Sequence, residues 1–377
     1  MRVVHVTPAY LPNAGGIETL LSLLFPELKI QAGVDSAVFV GGPNIWCSEF
    51  DHEGIRETRE FDSEVFRFGR LGDGSGGPMA MHLHVSAAVR TLLEQRRPAV
   101  VHIHGPSRLA YASYRSARAL GIPAVLHIHG SVQDQFSPAF LRMCREAETV
   151  IAPSKYVAQS LRDHAGRRGE VHVCPNAIGP PVSVNRVRMS RQSNTLKLLV
   201  AGRLEVNKGH DVAIRCLRDL LSRGCQATLA LFGEGPELQA LDQLALSLAV
   251  RQQVSFNNPI TNSQLLDEME ASDFVLVPSR GFEGFGLVAA EAASRATACI
   301  ASDVGGLGEV VIHNVTGVLV PENDHRAFAD AIENLVSDVR RLNAMRFAAR
   351  DHAERAFGLE RFVSTILGIY LGLGERN

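Results

Sequence analysis

A chain of 377 residues exceeds one ordinary hydrophobic core, and 46% apolar content suffices for two domains of about 180 residues each. No apolar run reaches the ~18 residues of a membrane span, and the N-terminus opens on the strand-like Val3-Val4-His5-Val6, so a cytoplasmic protein with at most peripheral membrane attachment is expected. A net charge of -2 is far from a nucleic-acid footprint, and the six cysteines lack disulfide or zinc spacing.

From the N-terminus, short apolar runs alternate with amphipathic stretches, the βαβ signature of parallel sheets. Strands are expected at Val3 to Thr7, Ala37 to Val40, Ala99 to Ile103, Ala124 to His129, Thr149 to Ala152 and Val171 to Cys174. Helices are expected over 17–32, 80–96, 108–120 and 154–165, the last capped by Ser154. After the first strand, Gly15 and Gly16 suit either a tight turn or the approach of backbone amides to a phosphate. His102-Ile-His104-Gly105 is echoed by His127-Ile-His129-Gly130. In each pair the imidazoles share one strand face and could mimic metal ligands, but no Cys or carboxylate at ligand spacing joins them, and no metal is expected. His129 ends its strand, where its ring can face a ligand, whereas His127 reads as buried and structural. Gly72 to Gly77 fits GxGxxG, yet no clear strand precedes it and Pro78 follows, so it reads as a loop. Pro175 to Asn194 breaks the periodicity; the first domain is placed at 1–178, a linker at 179–194 and a second domain at 195–358.

The alternation restarts with strands at Leu196 to Ala201, Ala227 to Phe232, Val254 to Phe256, Phe274 to Val277, Ala298 to Ala301 and Val318 to Val320. After the first of these, Arg203 and Lys208 can converge on a diphosphate, unless they are two surface cations on a solvated turn. Gly233, closing the next strand, suits either a turn or a close ligand. Ser279 to Glu291 is the most informative stretch. It follows a buried-type strand, and the amides of Phe285, Gly286 and Leu287 would open the next helix as an anion site. Glu283 and Glu291 flank it, roughly 12 Å apart if the segment is helical throughout. That separation suits two contacts on one long ligand. No Asp-x-Asp triplet occurs, so nothing supports a metal-bound diphosphate.

Together these motifs resemble the retaining glycosyltransferases of family 4. The matching residues are Gly15-Gly16-Ile-Glu18, His129-Gly130, Arg203 with Lys208-Gly209, Phe232-Gly-Glu-Gly-Pro236, Glu283-Gly-Phe-Gly-Leu-Val-Ala-Ala-Glu291, Gly305-Gly306 with Glu309, and Thr316-Gly-Val-Leu-Val-Pro321. The resemblance implies the α/β GT-B fold, with two Rossmann-like doubly wound parallel-sheet domains facing across a cleft and the final helix, 359–377, crossing back to the first. It implies a nucleotide diphosphate sugar, UDP-linked, as co-substrate without a further cofactor. A hexose or amino-hexose, glucose or N-acetylglucosamine, would pass to a hydroxyl of a glycan, lipid-linked or small-molecule acceptor held mainly by the first domain. Glu291 would then take the ribose hydroxyls, Arg203 and Lys208 the diphosphate, and Glu283 the sugar. His129 would lie near the reacting centre, and Gly16 with the amides at Gly286 and Leu287 would assist. Two departures fall at Pro175-Asn-Ala-Ile-Gly179 and Arg280-Gly-Phe282. A nucleotide-sugar epimerase or hydrolase and a non-catalytic nucleotide-sugar-binding subunit are the rival readings.

Overall fold

The computed structural model describes residues 1–8, 10, 16–41, 55–60, 63–68, 78–130, 137–187 and 194–374. The chain divides into two compact units, Met1–Cys174 with Glu360–Asn377, and Pro175–Leu359.

The first unit begins with β1 (Arg2–Thr7), α1 (Gly16–Ala32), β2 (Asp35–Val40), β3 (Ile55–Glu60), β4 (Ser63–Phe68) and α2 (Pro78–Arg96). It continues through β5 (Val100–His104), α3 (Arg108–Ala119), β6 (Ala124–His127), α4 (Pro138–Glu146), β7 (Thr149–Ala152), α5 (Lys155–Ala165) and β8 (His172–Val173). The strands form one sheet in the order β3-β4-β2-β1-β5-β6-β7-β8. Val3, Val4 and Val6 of β1 and Val100, Val101 and Ile103 of β5 are buried, as expected of central parallel strands covered on both faces. Serines fix the helix starts: Ser107, Ser137 and Ser154 accept from the amides of Ala110, Phe140 and Val157. One feature departs from an all-parallel sheet. β3 pairs antiparallel with β4, adding an edge hairpin in a stretch where no strand was expected.

The second unit holds β9 (Leu196–Ala201), α6 (His210–Ser222), β10 (Ala227–Phe232), α7 (Leu238–Ser247), β11 (Val254–Asn257), α8 (Asn262–Ala271) and β12 (Phe274–Val277). Then follow α9 (Leu287–Ser294), β13 (Ala298–Ser302), α10 (Leu307–Val310), β14 (Gly317–Val320), α11 (His325–Ser337) and α12 (Val339–Phe357). Its six strands are parallel, in the order β11-β10-β9-β12-β13-β14. Leu198 and Val200 enter the core formed with α6 and α11, and Leu199 enters the core formed with α9 and α12. Strand order reverses between β9 and β12, and open α/β sheets bind ligands beyond the carboxyl ends of the strands at such a reversal. The loops that follow β9 and β12 carry Lys208 and Glu283.

The division between units falls at Cys174/Pro175, not after residue 178, and the start of the expected linker is docked on the second unit. Ile178 donates to the Phe357 carbonyl and Val182 to that of Ser294, while Val182 and Val187 pack against Ala296. The last helix, α13 (Leu359–Gly374), belongs to the first unit apart from its first residue. It buries Phe362, Val363, Ile366, Tyr370 and Leu373 at helical spacing, each removing apolar surface worth roughly 1.5–3 kcal/mol.

Candidate active site

The loops after β9 and β12 are laced together by backbone and side-chain bonds. The Arg280 amide donates to the Asn207 carbonyl at 2.7 Å. Its guanidinium bonds the Val206 carbonyl at 2.8 Å, Asp211 at 2.7 Å, and Asn323. Arg280 is therefore a strut that fixes the loop, and Phe282, 57% exposed, is the large side chain this wall offers to solvent. Within the frame, Glu283 Oε2 accepts from Lys208 Nζ at 2.8 Å and from Ser279 Oγ at 2.9 Å. Among the described residues Glu283 Oε1 has no hydrogen-bond partner. Lys208 and Glu283, assigned to different parts of a ligand by the sequence, stand here as one ion pair, with side chains 29% and 15% exposed.

Two glycines hold this geometry from neighbouring loops. Gly305 lies at φ +57°, where a Cβ would sit 2.2 Å from the Glu283 carbonyl oxygen, and the Gly306 amide donates to that same oxygen at 2.7 Å. A Cβ on Gly233 would lie 1.9 Å from the Gly202 carbonyl oxygen, so the adjacent loop alone requires glycine there, whatever ligand approaches. Gly305→Ala is expected to destabilise the protein by about 2 kcal/mol or more, through left-handed strain and a backbone clash, measurable as a lower urea midpoint.

Glu283 and Glu291 are not on one continuous helix: α9 starts at Leu287 with Gly286 as its N-cap, so the 12 Å separation computed for a helix does not apply. Phe285, offered by the sequence for its amide, also anchors the loop, its buried ring meeting Phe357 edge-on at 5.4 Å. Leu287 opens the helix half-buried. One face of α9 carries Glu291, 5% exposed, whose Oε1 accepts from Asn262 Nδ2 at 2.7 Å. Asn262 is held in place because a Thr261–Gln264 capping box fixes the start of α8. Burial pushes the Glu291 carboxyl up to about 7, against the opposing pull of the Asn262 hydrogen bond and the Arg295 charge.

Arg203 stands apart from this group. Its side chain is 71% exposed and pairs with Glu205 at 2.7 Å, not with the Lys208–Glu283 pair. Asn262 and Ser279 complete the group although the sequence assigned neither a role. Ser279 stood within the highlighted stretch, but nothing in the spacing of Asn262, 29 residues before Glu291, signalled their contact.

In the first unit, Gly16 is the exposed first residue of α1, while Gly15 and the Gly72–Gly77 stretch lie outside the described residues. His129 follows β6 half-buried. Parallel register places His5 opposite His102 and His104 opposite His127, so five imidazoles share one sheet face. His5, His102, His104 and His127 are fully buried, and burial pulls each far below the usual imidazole range, His5 to about 3. All four are neutral at pH 7. The sets His5, His102, His104 and His104, His127, His129 are compact enough to suggest cation sites. They share His104, both of whose ring nitrogens are already bonded to other imidazoles, His5 at 3.1 Å and His129 at 3.0 Å. Tyr370 closes the array at His102 Nδ1, 2.6 Å away.

Comparison with known proteins matches each half of the chain to a glycosyltransferase model. Residues 14–180 match the model for Glycosyltransferase Family 4, and residues 184–352 match that for Glycosyl transferases group 1. A D-inositol 3-phosphate glycosyltransferase of Catenulispora acidiphila is 38% identical over 194 residues, 49% of this chain and 46% of that protein. The chain thus spans about half the length of the curated relatives it matches. The sucrose-phosphate synthase of Thermosynechococcus elongatus superposes with a TM-score of 0.78 at 20% identity, over all of both chains. Anabaena HepE in complex with UDP superposes at 0.76 with 22% identity, over 99% of this chain and 100% of that one. With two parallel-sheet α/β units and family matches that run through both halves in order, the chain belongs to glycosyltransferase family 4 and has the GT-B fold.

Proposed function

We propose that the protein is a retaining glycosyltransferase that moves a hexose or amino-hexose from a UDP-linked donor to an acceptor hydroxyl. The observation that carries this reading is the pairing of Lys208 with Glu283 beyond the reversal between β9 and β12, with Glu291 buried on the helix that follows. In the proposed complex, Glu291 accepts hydrogen bonds from the ribose hydroxyls. Lys208 neutralises the diphosphate as the leaving group gains charge, and Arg203 leaves Glu205 to join it. The free Glu283 oxygen takes a sugar hydroxyl. The amides at Gly286 and Leu287 add the positive end of α9. UDP as the nucleotide is supported by the UDP bound to Anabaena HepE, and glucose and N-acetylglucosamine are the leading sugars. Retention follows from attack on the face the diphosphate leaves, with no enzyme nucleophile required. His129 contacts the bound substrate. Acceptors of glycan, lipid-linked and small-molecule type are all open, and D-inositol 3-phosphate enters the panel through the relative from Catenulispora.

The test is a nucleotide-sugar panel read by thermal shift, followed by transfer assays on the stabilising donor. A donor at 100 times its dissociation constant should add about 2.7 kcal/mol. With cations supplied by side chains, transfer is expected to persist in EDTA. An isomerised donor without acceptor would favour an epimerase; stabilisation without turnover would favour a binding subunit. No stabilisation by any donor would refute the reading altogether.

A further inference from the structure

The first unit carries, between α3 and α4, a cavity that the proposed transfer leaves unused. Its volume is about 340 Å³, and Tyr111, Tyr114, Arg115, Arg118, Arg142 and Glu146 line it. It lies toward the amino ends of the strands. α3 starts at the Ser107 cap just beyond β5 and runs back toward the start of β6, so Arg115 and Arg118 stand roughly 12 and 16 Å along the helix from that cap. Glu146 is likewise the last residue of α4, shortly before β7 begins. His129 follows the carboxyl end of β6, at the other end of the sheet.

Charge in the cavity is unbalanced. Three guanidiniums face one carboxylate, and the pairs are long: Arg118 Nη1 is 3.5 Å and Arg142 Nε 3.9 Å from Glu146, with the three side chains 46–67% exposed. Exposed pairs of this kind contribute at most about 1 kcal/mol. Arg115 has no ion-pair partner among the described residues, and it stands three residues before Arg118, a repulsive spacing for like charges. Stacking steadies Arg118 over the Tyr114 ring, 5.7 Å from its centroid. A fourth cation backs the cavity. Arg167 is 3% exposed, and its guanidinium donates only to carbonyls, among them Cys144 at 3.0 Å, Ala147 at 2.7 Å and Glu170 at 2.8 Å. The carbonyls at the end of α4 supply it with about half a negative charge, and exposed Glu148, within reach of Tyr114, offsets what remains. Three lining arginines are then left against Glu146 alone.

A phosphomonoester carries about -1.5 to -2 charges at pH 7, which matches that excess, and its oxygens suit forked guanidinium donors. The volume is at the small end for a ligand site, right for a phosphate on a short organic group lying against the two tyrosines. A membrane surface fits less well, since it is held by clusters of roughly four to eight basic residues. We infer that the cavity between α3 and α4 is an accessory site for a soluble phosphomonoester, separate from the site of transfer.

The inference does not depend on the transferase reading, because its test needs neither donor nor turnover. Titration calorimetry of the whole protein with inorganic phosphate, glycerol 3-phosphate and phenyl phosphate should show binding, tighter for an ester than for phosphate alone. The double change Arg115→Gln with Arg142→Gln should weaken it tenfold or more, the loss of two charge-assisted bonds. Glu146→Gln should instead tighten it roughly two- to fivefold, because the resident carboxylate no longer competes for Arg118 and Arg142. Lys208→Ala should leave it unchanged. If the arginine variant does not fold, the direction of the Glu146→Gln effect decides. No binding of any probe, esters no tighter than phosphate, or weaker binding by Glu146→Gln would each overturn the inference. So would binding that Lys208→Ala abolishes and the arginine variant keeps, which would put the phosphate in the candidate active site. Retention on phosphatidylglycerol vesicles through the same arginines, without binding of the soluble esters, would give the cavity to a membrane and overturn the choice of ligand.

Discussion

Glu283→Ala lowers kcat/KM for transfer by about 10²–10³-fold while leaving the protein folded. The magnitude is that of losing one preorganised group facing a transition state, roughly 2.7–4 kcal/mol. Glu283 also organises its surroundings, since Oε2 fixes both the Lys208 ammonium and the Ser279 hydroxyl. The partly exposed Lys208 rehydrates in the variant, so the unfolding midpoint should move little. Lys208→Ala should cost a similar factor. The double variant should cost clearly less than the product of the two, because each single change already dismantles the pair. Steady-state kinetics on the four proteins of this cycle provide the check. Full multiplicativity, or more than a tenth of activity retained by Glu283→Ala, would remove the pair from the reaction.

Glu291 should make nucleotide affinity depend on pH. A ribose diol is best held by a carboxylate, which accepts only, and burial holds this carboxyl at about 7. UDP affinity should therefore weaken as pH falls through 7, approaching about tenfold per unit below it, and Glu291→Gln should be weak and flat across the range. Stability moves the other way. The folded carboxyl titrates near 7 and the unfolded one near 4.5, so the native state binds the extra proton between those values. The stabilising contribution is complete below about 4.5 and is lost as pH rises through 7, to a total on the order of 3 kcal/mol. Glu291→Gln, unable to ionise, should match the wild type near pH 5 and exceed it near pH 8 in urea unfolding. Parallel curves for the two proteins across that range would show that Glu291 titrates normally.

The strand ladder was legible because most strands are short apolar runs buried on both faces. The exception is the β3–β4 hairpin. Ile55–Glu60 reads Ile-Arg-Glu-Thr-Arg-Glu, too polar for a buried strand, and only the Phe66-Arg67-Phe68 alternation in β4 offered a signal. At the candidate site, Glu283, Glu291 and Lys208 stood out because glycines and strand ends marked their loops. Their mutual arrangement did not, since Lys208 and Glu283 meet across 75 residues through the pairing of β9 with β12. Asn262 depends on where α8 begins relative to α9, and the bracing role of Arg280 depends on Val206, Asp211 and Asn323, which reach it from other loops and from α6. The histidine echo was visible in the sequence, but its connection to His5 required the register of β1 on β5.

The placement of α13 has a consequence for synthesis. The first unit is discontinuous in sequence: the helix carrying Tyr370 and Phe362 to its histidine face is translated only after the whole of the second unit. At ordinary ribosomal speeds that interval is roughly 10 to 40 seconds. For that time the nascent sheet leaves the imidazole face without its helical cover, so the earlier-made half is completed last and the second unit can close first.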